Sequence, residues 1–209
     1  MRRFRIPNLQ IKHMKAIDSS AKTTGQANNL AAAGVGAVGV YLRPDRCSAA
    51  MLAELHKAGL KVWSIYEKGF PTTDAYFSAA QGTSDGNAAA TFAKSMGQPQ
   101  GTQIYPAVDY DPDDSNPNGP TINGRISDYM KAFQAAIKPA GYVASVYGSG
   151  RTCRILMAKG LAKTGWLTQS TGFAEYKIFK PKAGIVQGPR INNSWDSDDI
   201  PDPTVVGLW

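Results

Sequence analysis

The chain is 209 residues long, and 23 Lys and Arg against 16 Asp and Glu leave it a formal charge of +7 with His neutral. Apolar residues make up 43% and charged residues 19%, the composition of a globular domain with its own core and not of a disordered chain. No run of about 18 apolar residues occurs, which excludes a transmembrane helix, and with only Cys47, Cys153, His13 and His56 present, a disulfide scaffold and a Cys- or His-rich metal centre are excluded too.

Residues 1–12 read as an N-terminal extension and 13–209 as one domain. Arg2, Arg3 and Arg5 precede a polar stretch and not an apolar one, so no secretory signal is recognised. Met14 to Asp18 carries the first strand signal. Ala27 to Ala33 reads as a helix closed by Gly34, and Ala37 to Leu42 as a buried strand. Ser48 caps a helix from Ala49 to Ala58, ended by Gly59. Lys61 to Glu67 is the next strand. A helix from Asp85 to Ser95 follows, then a strand from Thr102 to Asp109. Ile122 to Ile137 is a long amphipathic helix, Tyr142 to Tyr147 a strand, and Arg151 to Ala162 a helix. Gly165 to Thr168 and Ala183 to Gln187 are short late strands, and Asp196, Asp198 and Asp199 fall in a loop beyond them.

Strands alternating with helices imply a parallel sheet with right-handed crossovers. The α/β pattern fits a compact (β/α)8 TIM-like barrel, complete or degenerate, in a single domain. An open doubly wound sheet is the competing fold. No G-x-G-x-x-G or Walker pattern follows the first strand, which argues against nucleotide binding.

The acids carry the functional signal. Asp18, Glu67 and Asp109 each end a strand, and Asp111 follows two residues later. Strand C-termini share one face of a parallel barrel, the face on which active sites are built. Paired carboxylates there suit glycoside hydrolysis: one donates a proton to the leaving oxygen and the other acts ionised. Glu67, one of three Glu in the chain, follows the apolar run Val62 to Tyr66 and suits the raised pKa of an acid. Tyr66, Tyr110, Tyr147 and Trp166 lie at strand ends, where flat rings stack on sugars. Asp113 and Asp114 lack calcium-loop spacing. Gly148-Ser149-Gly150-Arg151 is not a nucleophile elbow. Lys and Arg are scattered without a basic helix face, so nucleic acid is not the expected partner.

The blocks AGVGAVGVYLRP, LAELHKAGLKVWSIYEKG, GTSDGNAAATFAKSMGQPQGTQIYPAVDYDPD and YVASVYGSG resemble a bacterial and phage family of glycoside-hydrolase-like barrel domains. These are distantly similar to the Chalaropsis-type lysozymes, which are muramidases. The resemblance runs from about Met14 to the C-terminus. It implies a carbohydrate site with Asp18, Glu67, Asp109 and Asp111 as the acids. Arg43, Tyr66, Asp85, Tyr147, Trp166, Gln187 and Asp202 are its implied substrate contacts. Chalaropsis-type lysozymes carry Asp-x-Glu at the fourth strand end, with the Glu as proton donor. Here the segment is Asp109-Tyr110-Asp111, so the acid role is expected to pass to Glu67. Relatives often show Arg-Tyr where this chain has Val40-Tyr41, with Arg43 nearby.

The reading that results is a cell-wall glycoside hydrolase acting on peptidoglycan or a related bacterial glycan. A non-catalytic glycan-binding barrel is the alternative. The basic charge suits an anionic wall. No cofactor or metal is expected, and the domain is expected to be a monomer. It would be synthesised in the cytoplasm and act at the wall or periplasm after release or export, as an endolysin or antibacterial effector.

Overall fold

A computed structural model describes residues 13–114 and 121–209, so the expected extension over residues 1–12 lies outside the described residues. The wall of the fold is a nine-stranded sheet. Its first half alternates as the apolar runs and glycine stops require: β1 (Met14–Ser19), α1 (Ala27–Ala32), β2 (Ala37–Tyr41), α2 (Ala49–Lys57), β3 (Lys61–Tyr66), α3 (Ala79–Ser95) and β4 (Gln103–Pro106). The strands β1 to β4 pair in parallel, and helices cover their outer face. The second half holds α4 (Ser127–Ile137), β5 (Val143–Ala144), β6 (Val146–Gly148), α5 (Gly150–Ala158), β7 (Gly165–Leu167), α6 (Tyr176–Phe179), β8 (Ile185–Arg190) and β9 (Trp195–Ile200).

The sheet order β5-β4-β3-β2-β1-β9-β8-β7-β6 closes on itself. Its two edge strands, β5 and β6, are one chain run interrupted at Ser145. The Ser145 hydroxyl donates to Gln103 Oε1 at 2.5 Å and accepts from Thr164 N at 3.2 Å, so the kink leaves it satisfied. A parallel bridge between Ala107 and Tyr147 joins the two ends. The result is a nearly closed barrel in a single domain, and the open doubly wound sheet is excluded.

Two elements depart most from the sequence reading, in which α6 has no counterpart and β5 and β6 are one strand. The helix expected from Asp85 begins at Ala79, with the Ser78 side chain accepting from Gln81 N. Gly82 and Gly86 within it serve packing. A Cβ on Gly82 would sit 2.2 Å from the Tyr129 carbonyl oxygen of α4, and one on Gly86 2.7 Å from the Ala136 Cβ. The segment read as an acidic loop is β9, which enters between β1 and β8 and runs antiparallel to both. Its hairpin is held by Asn192, whose Oδ1 accepts from Ser194 N and Trp195 N, both at 2.9 Å. Acid-rich WDSDDI has low strand propensity; tertiary pairing on both sides makes it a strand.

The barrel interior is filled by Trp63, Tyr105 and Trp166, all buried, with Trp63 and Trp166 meeting edge to face at 5.7 Å. Gly39 makes room, because a Cβ there would lie 2.5 Å from the Trp63 ring. This plug closes the barrel below the strand C-termini. No described helix is long and apolar enough to cross a membrane.

Candidate active site

Above the plug, at the C-terminal ends of the parallel strands, opens a cavity of about 210 Å³. Strand alternation decides what faces it. On β3, Trp63 and Ile65 point into the barrel, so the residue after Tyr66, Glu67, follows them to the same side. Asp18 ends β1 on the inner face, and Asp109 follows β4. Tyr41, Tyr147, Trp166, Gln169, Gln187, Arg190 and Asp196 complete much of the lining.

The acids face one another with few cations between them. Burial, then the neighbouring Asp109 and Asp18 carboxylates, pushes Glu67 up to about 7; Arg43 and Arg46 pull the other way. Burial also lifts Asp18 to about 6; the Gln187 hydrogen bond opposes it and the Asp196 charge reinforces it. Asp109 stands at the solvent-accessible mouth, and the partial burial of its carboxyl still raises it. Tyr41 and Tyr147 are pushed up by burial first and then by these acids, so both keep their protons.

A hydrogen-bond chain orients the floor. Gln187 Nε2 donates to Asp18 Oδ2 at 2.8 Å, and Tyr147 donates to Gln187 Oε1 at 2.9 Å. Trp166 Nε1 donates to Asp198 Oδ1 at 2.9 Å. Register explains these meetings: Asp18 lies opposite Asp196 across the β1–β9 pair, and Gln187 opposite Asp198 across β8–β9. At the rim, Arg190 Nε lies 3.4 Å from Asp196 Oδ1.

The model of the Rv2525c-like, glycoside hydrolase-like domain matches residues 28–202, from α1 to just past β9. The chain belongs to this family. Among curated relatives, the uncharacterized protein YbfG of Bacillus subtilis (strain 168) is 34% identical over 165 residues, 74% of this chain. That stretch is 20% of YbfG, so the chain spans about a fifth of that relative's length. The Mycobacterium tuberculosis Tat-secreted protein Rv2525c, solved in complex with L-tartrate, superposes with a TM-score of 0.74 at 21% identity, over 94% of this chain and 98% of that one. The modular autolysin LytC of Streptococcus pneumoniae, solved in complex with a synthetic peptidoglycan ligand, gives a TM-score of 0.58 at 15% identity, over 90% of this chain and 46% of that one. At such identities these structures share the fold.

Within this Rv2525c-like barrel, Asp18, Glu67, Asp109, Tyr147, Trp166 and Gln187 come together in one cavity. Five other expected site residues lie elsewhere. Asp111 turns from the cavity, and its Oδ2 accepts from Ala174 N at 2.8 Å, tying the β4 exit to the loop before α6. Tyr66 points to the outer side of β3, where its ring packs near Phe133 and its hydroxyl donates to Asp85. Asp85 is buried there among donors: Tyr66 at 3.1 Å, Tyr76 at 2.6 Å, Tyr129 at 2.9 Å and Gln81 Nε2 at 2.8 Å. The intervening strand separates it from the cavity. Arg43 forks onto Asp45 and reaches Glu67 through its charge alone. Asp202 sits at the opposite end of the barrel, because β9 runs antiparallel; its Oδ1 holds Thr204.

Three smaller readings resolve similarly. Tyr110 donates to Asp74 Oδ1 at 2.5 Å, and Asp114 Oδ1 accepts from Ile122 N at 2.8 Å at the start of the helical segment before α4. Ser149 caps α5, accepting from Thr152 N at 3.2 Å.

Sequence reasoning missed Tyr41, Arg190, Asp196 and Asp198 as site residues. A signal for the last two was present: Asp196, Asp198 and Ile200 alternate as one face of a strand. Phe70, on the loop after Glu67, carries an 84% exposed ring. That loop is pinned to the site, since Asp109 N donates to Pro71 O at 3.0 Å.

Proposed function

We propose that this domain hydrolyses the glycan strand of bacterial peptidoglycan, at the β-1,4 bond between N-acetylmuramic acid and N-acetylglucosamine. The observation that carries the reading is Glu67, a half-buried acid raised to about 7 beside the Asp109 and Asp18 carboxyls in a cavity at the strand C-termini. Family membership and the fold shared with an autolysin support it.

The chemistry follows from the charges. Near neutral pH Glu67 holds its proton and delivers it to the glycosidic oxygen as the bond to the anomeric carbon breaks. Asp109, ionised at the mouth, faces the developing positive charge. It either attacks the anomeric carbon, giving retention after water releases the sugar, or takes a proton from the attacking water, giving inversion. Asp18, fixed by Gln187, accepts an N–H or O–H from the bound sugar. Tyr147 and Trp166 form the aromatic floor.

The test is reducing-end release from purified peptidoglycan by wild type, E67Q and D109N. The expected result is release by wild type, lost in both variants while they remain folded, and the anomer formed first assigns retention or inversion. A second reading is favoured by one observation. Asp111, at the position where Chalaropsis-type lysozymes carry their donor Glu, is committed to Ala174 N and does not line the cavity. A barrel that holds glycan without cleaving it would be pulled down by peptidoglycan while releasing no reducing ends from about pH 4 to about pH 8.

A further inference from the structure

Asp198 stands directly behind the cavity and has no role in the reading above. It is 5% exposed, on the antiparallel β9 between β1 and β8. Its Oδ1 accepts from Trp166 Nε1, while its Oδ2 is buried with no N–H or hydroxyl donor. Across the β1–β9 pair Asp198 lies opposite Ala16, one alternate position from Asp18, so the two carboxyls share the inner face of the sheet, and Asp198 feels the Asp18 charge. Two ionised carboxylates are acceptors only, so the unpartnered Asp198 Oδ2 can bond to Asp18 only through a proton carried by one of the two.

The surroundings decide which one. Asp18 opens onto the cavity, accepts from Gln187 Nε2 and feels the Arg190 guanidinium at the rim. Those three contacts support its charge. Asp198 has one neutral donor, Trp166 from β7. The charged groups facing the pair are Asp196 on β9 itself and Arg190 on β8; Glu67 and Asp109 look across the cavity from β3 and β4. Lys15 on β1 and Asp199 on β9 point to the other face of the sheet by strand alternation, where Asp199 pairs with His13 at 3.1 Å. Lys15 and Lys180 border an outer cavity that Asp198 also lines, and neither donates to its carboxyl.

We infer that Asp198 is a positioning residue: its carboxyl keeps its proton and donates it to Asp18, so the pair presents one oriented carboxylate, Asp18, to the cavity. Burial and the Asp18 charge raise Asp198 well above the ordinary carboxylate range, in line with this assignment. Held by Gln187 on one oxygen and by the Asp198 hydroxyl, Asp18 is a fixed acceptor for a sugar N–H or O–H. The kinetic consequence rests on the glycosidase reading; the protonation itself does not.

The test is a carbon-13 carboxyl titration of the folded protein, with Asp198 assigned by its loss in D198N. The expected result is an Asp198 signal that stays protonated through about pH 7 while Asp18 titrates near 6. An Asp198 carboxyl that ionises below about pH 5 overturns the inference. Two variants give a second readout. D198N keeps both a donor to Asp18 and an acceptor for Trp166, so the Asp18 titration moves by less than about half a unit. D198L removes the donor, so it rises by about one unit or more. A merely structural Asp198 would change melting temperature while leaving that titration in place. Should D198L not fold, wild type and D198N decide the matter. Should wild type release no sugar from peptidoglycan, the hydrolase reading fails, and the titration still upholds or overturns the proton-sharing pair.

Discussion

Strand β3 serves two buried carboxyl environments that differ in one respect. Tyr66 reaches outward to Asp85, where three tyrosine hydroxyls and one amide converge on a single carboxyl. Its neighbour Glu67 turns inward, to acids that face other acids and few donors. A buried carboxyl supplied with donors is an anchor. One set among like charges has a raised pKa, which suits acid–base work at the expense of stability. The same strand joins both, so the anchor holds the backbone that aims the acid. Tyr76 strengthens the link: its hydroxyl lies 2.6 Å from both Asp85 Oδ2 and the Lys68 carbonyl just past Glu67 and shares its one proton between them.

The largest expected effect is on turnover. E67Q should lower reducing-end release by about 10²–10⁴-fold, the range for losing a general acid. The wild-type rate should fall as pH rises through about 7 with Glu67 ionisation, and fall again below about 6 as Asp18 protonates. A profile that keeps rising past about pH 8 would remove Glu67 from the acid role.

The anchor should respond in stability instead. D85A strands the Tyr66 and Tyr129 hydroxyls and the Gln81 amide, leaving Tyr76 its Lys68 carbonyl, and should destabilise the fold by about 3 kcal/mol, read by denaturant unfolding. D85N, which keeps the shape and one acceptor, should lose less. A loss equal in D85A and in an exposed control such as D128A would break the contrast.

The sign reverses at Glu67. Its folded-state value of about 7 lies above the ordinary 4.5, so the folded protein binds the extra proton. The associated stability is full below about 4.5 and is lost as pH rises to about 7. E67Q removes that loss and should be more stable than wild type at about pH 8, by on the order of 2 kcal/mol, with no gain at about pH 4. Melting temperatures across pH read this directly, and parallel curves would contradict it.

The smallest effect concerns the loop between the two environments. Phe70 holds φ at 61°, in the left-handed region that glycine tolerates best. F70G should relieve that strain and raise stability by up to about 1 kcal/mol, less the glycine's added unfolded-state entropy. A clear loss in melting temperature would mean that the exposed ring packs in solution.

Much of the barrel was legible in the chain because buried parallel strands need continuous apolar runs, and glycines mark helix ends. Val38, Val40, Val62 and Ile104 are of that kind. The start of α3 was not legible, since Gly82 is a poor helix former until α4 lies against it. Strand β9 was not legible either, because Asp residues belong in a strand only when its partners supply the burial and the hydrogen bonds. In the site, strand-end position was enough to bring Asp18, Glu67 and Asp109 to one face. It misplaced Tyr66, since a shift of one residue along a strand moves a side chain to the other side of the sheet, and Asp85, which sits on α3 outside the barrel wall.

The sequence by itself determined the α/β alternation, the family and three of the acids at the strand ends, because period, glycine punctuation and motif spacing are local properties. Only the tertiary structure decided which acids are satisfied and which confront one another. It placed Asp85 among tyrosines and Asp198 behind Asp18, and it sent Asp202 to the far end of the barrel. These outcomes depend on the direction of β9 and on cross-strand register, which are set by contacts between segments up to 180 or so residues apart.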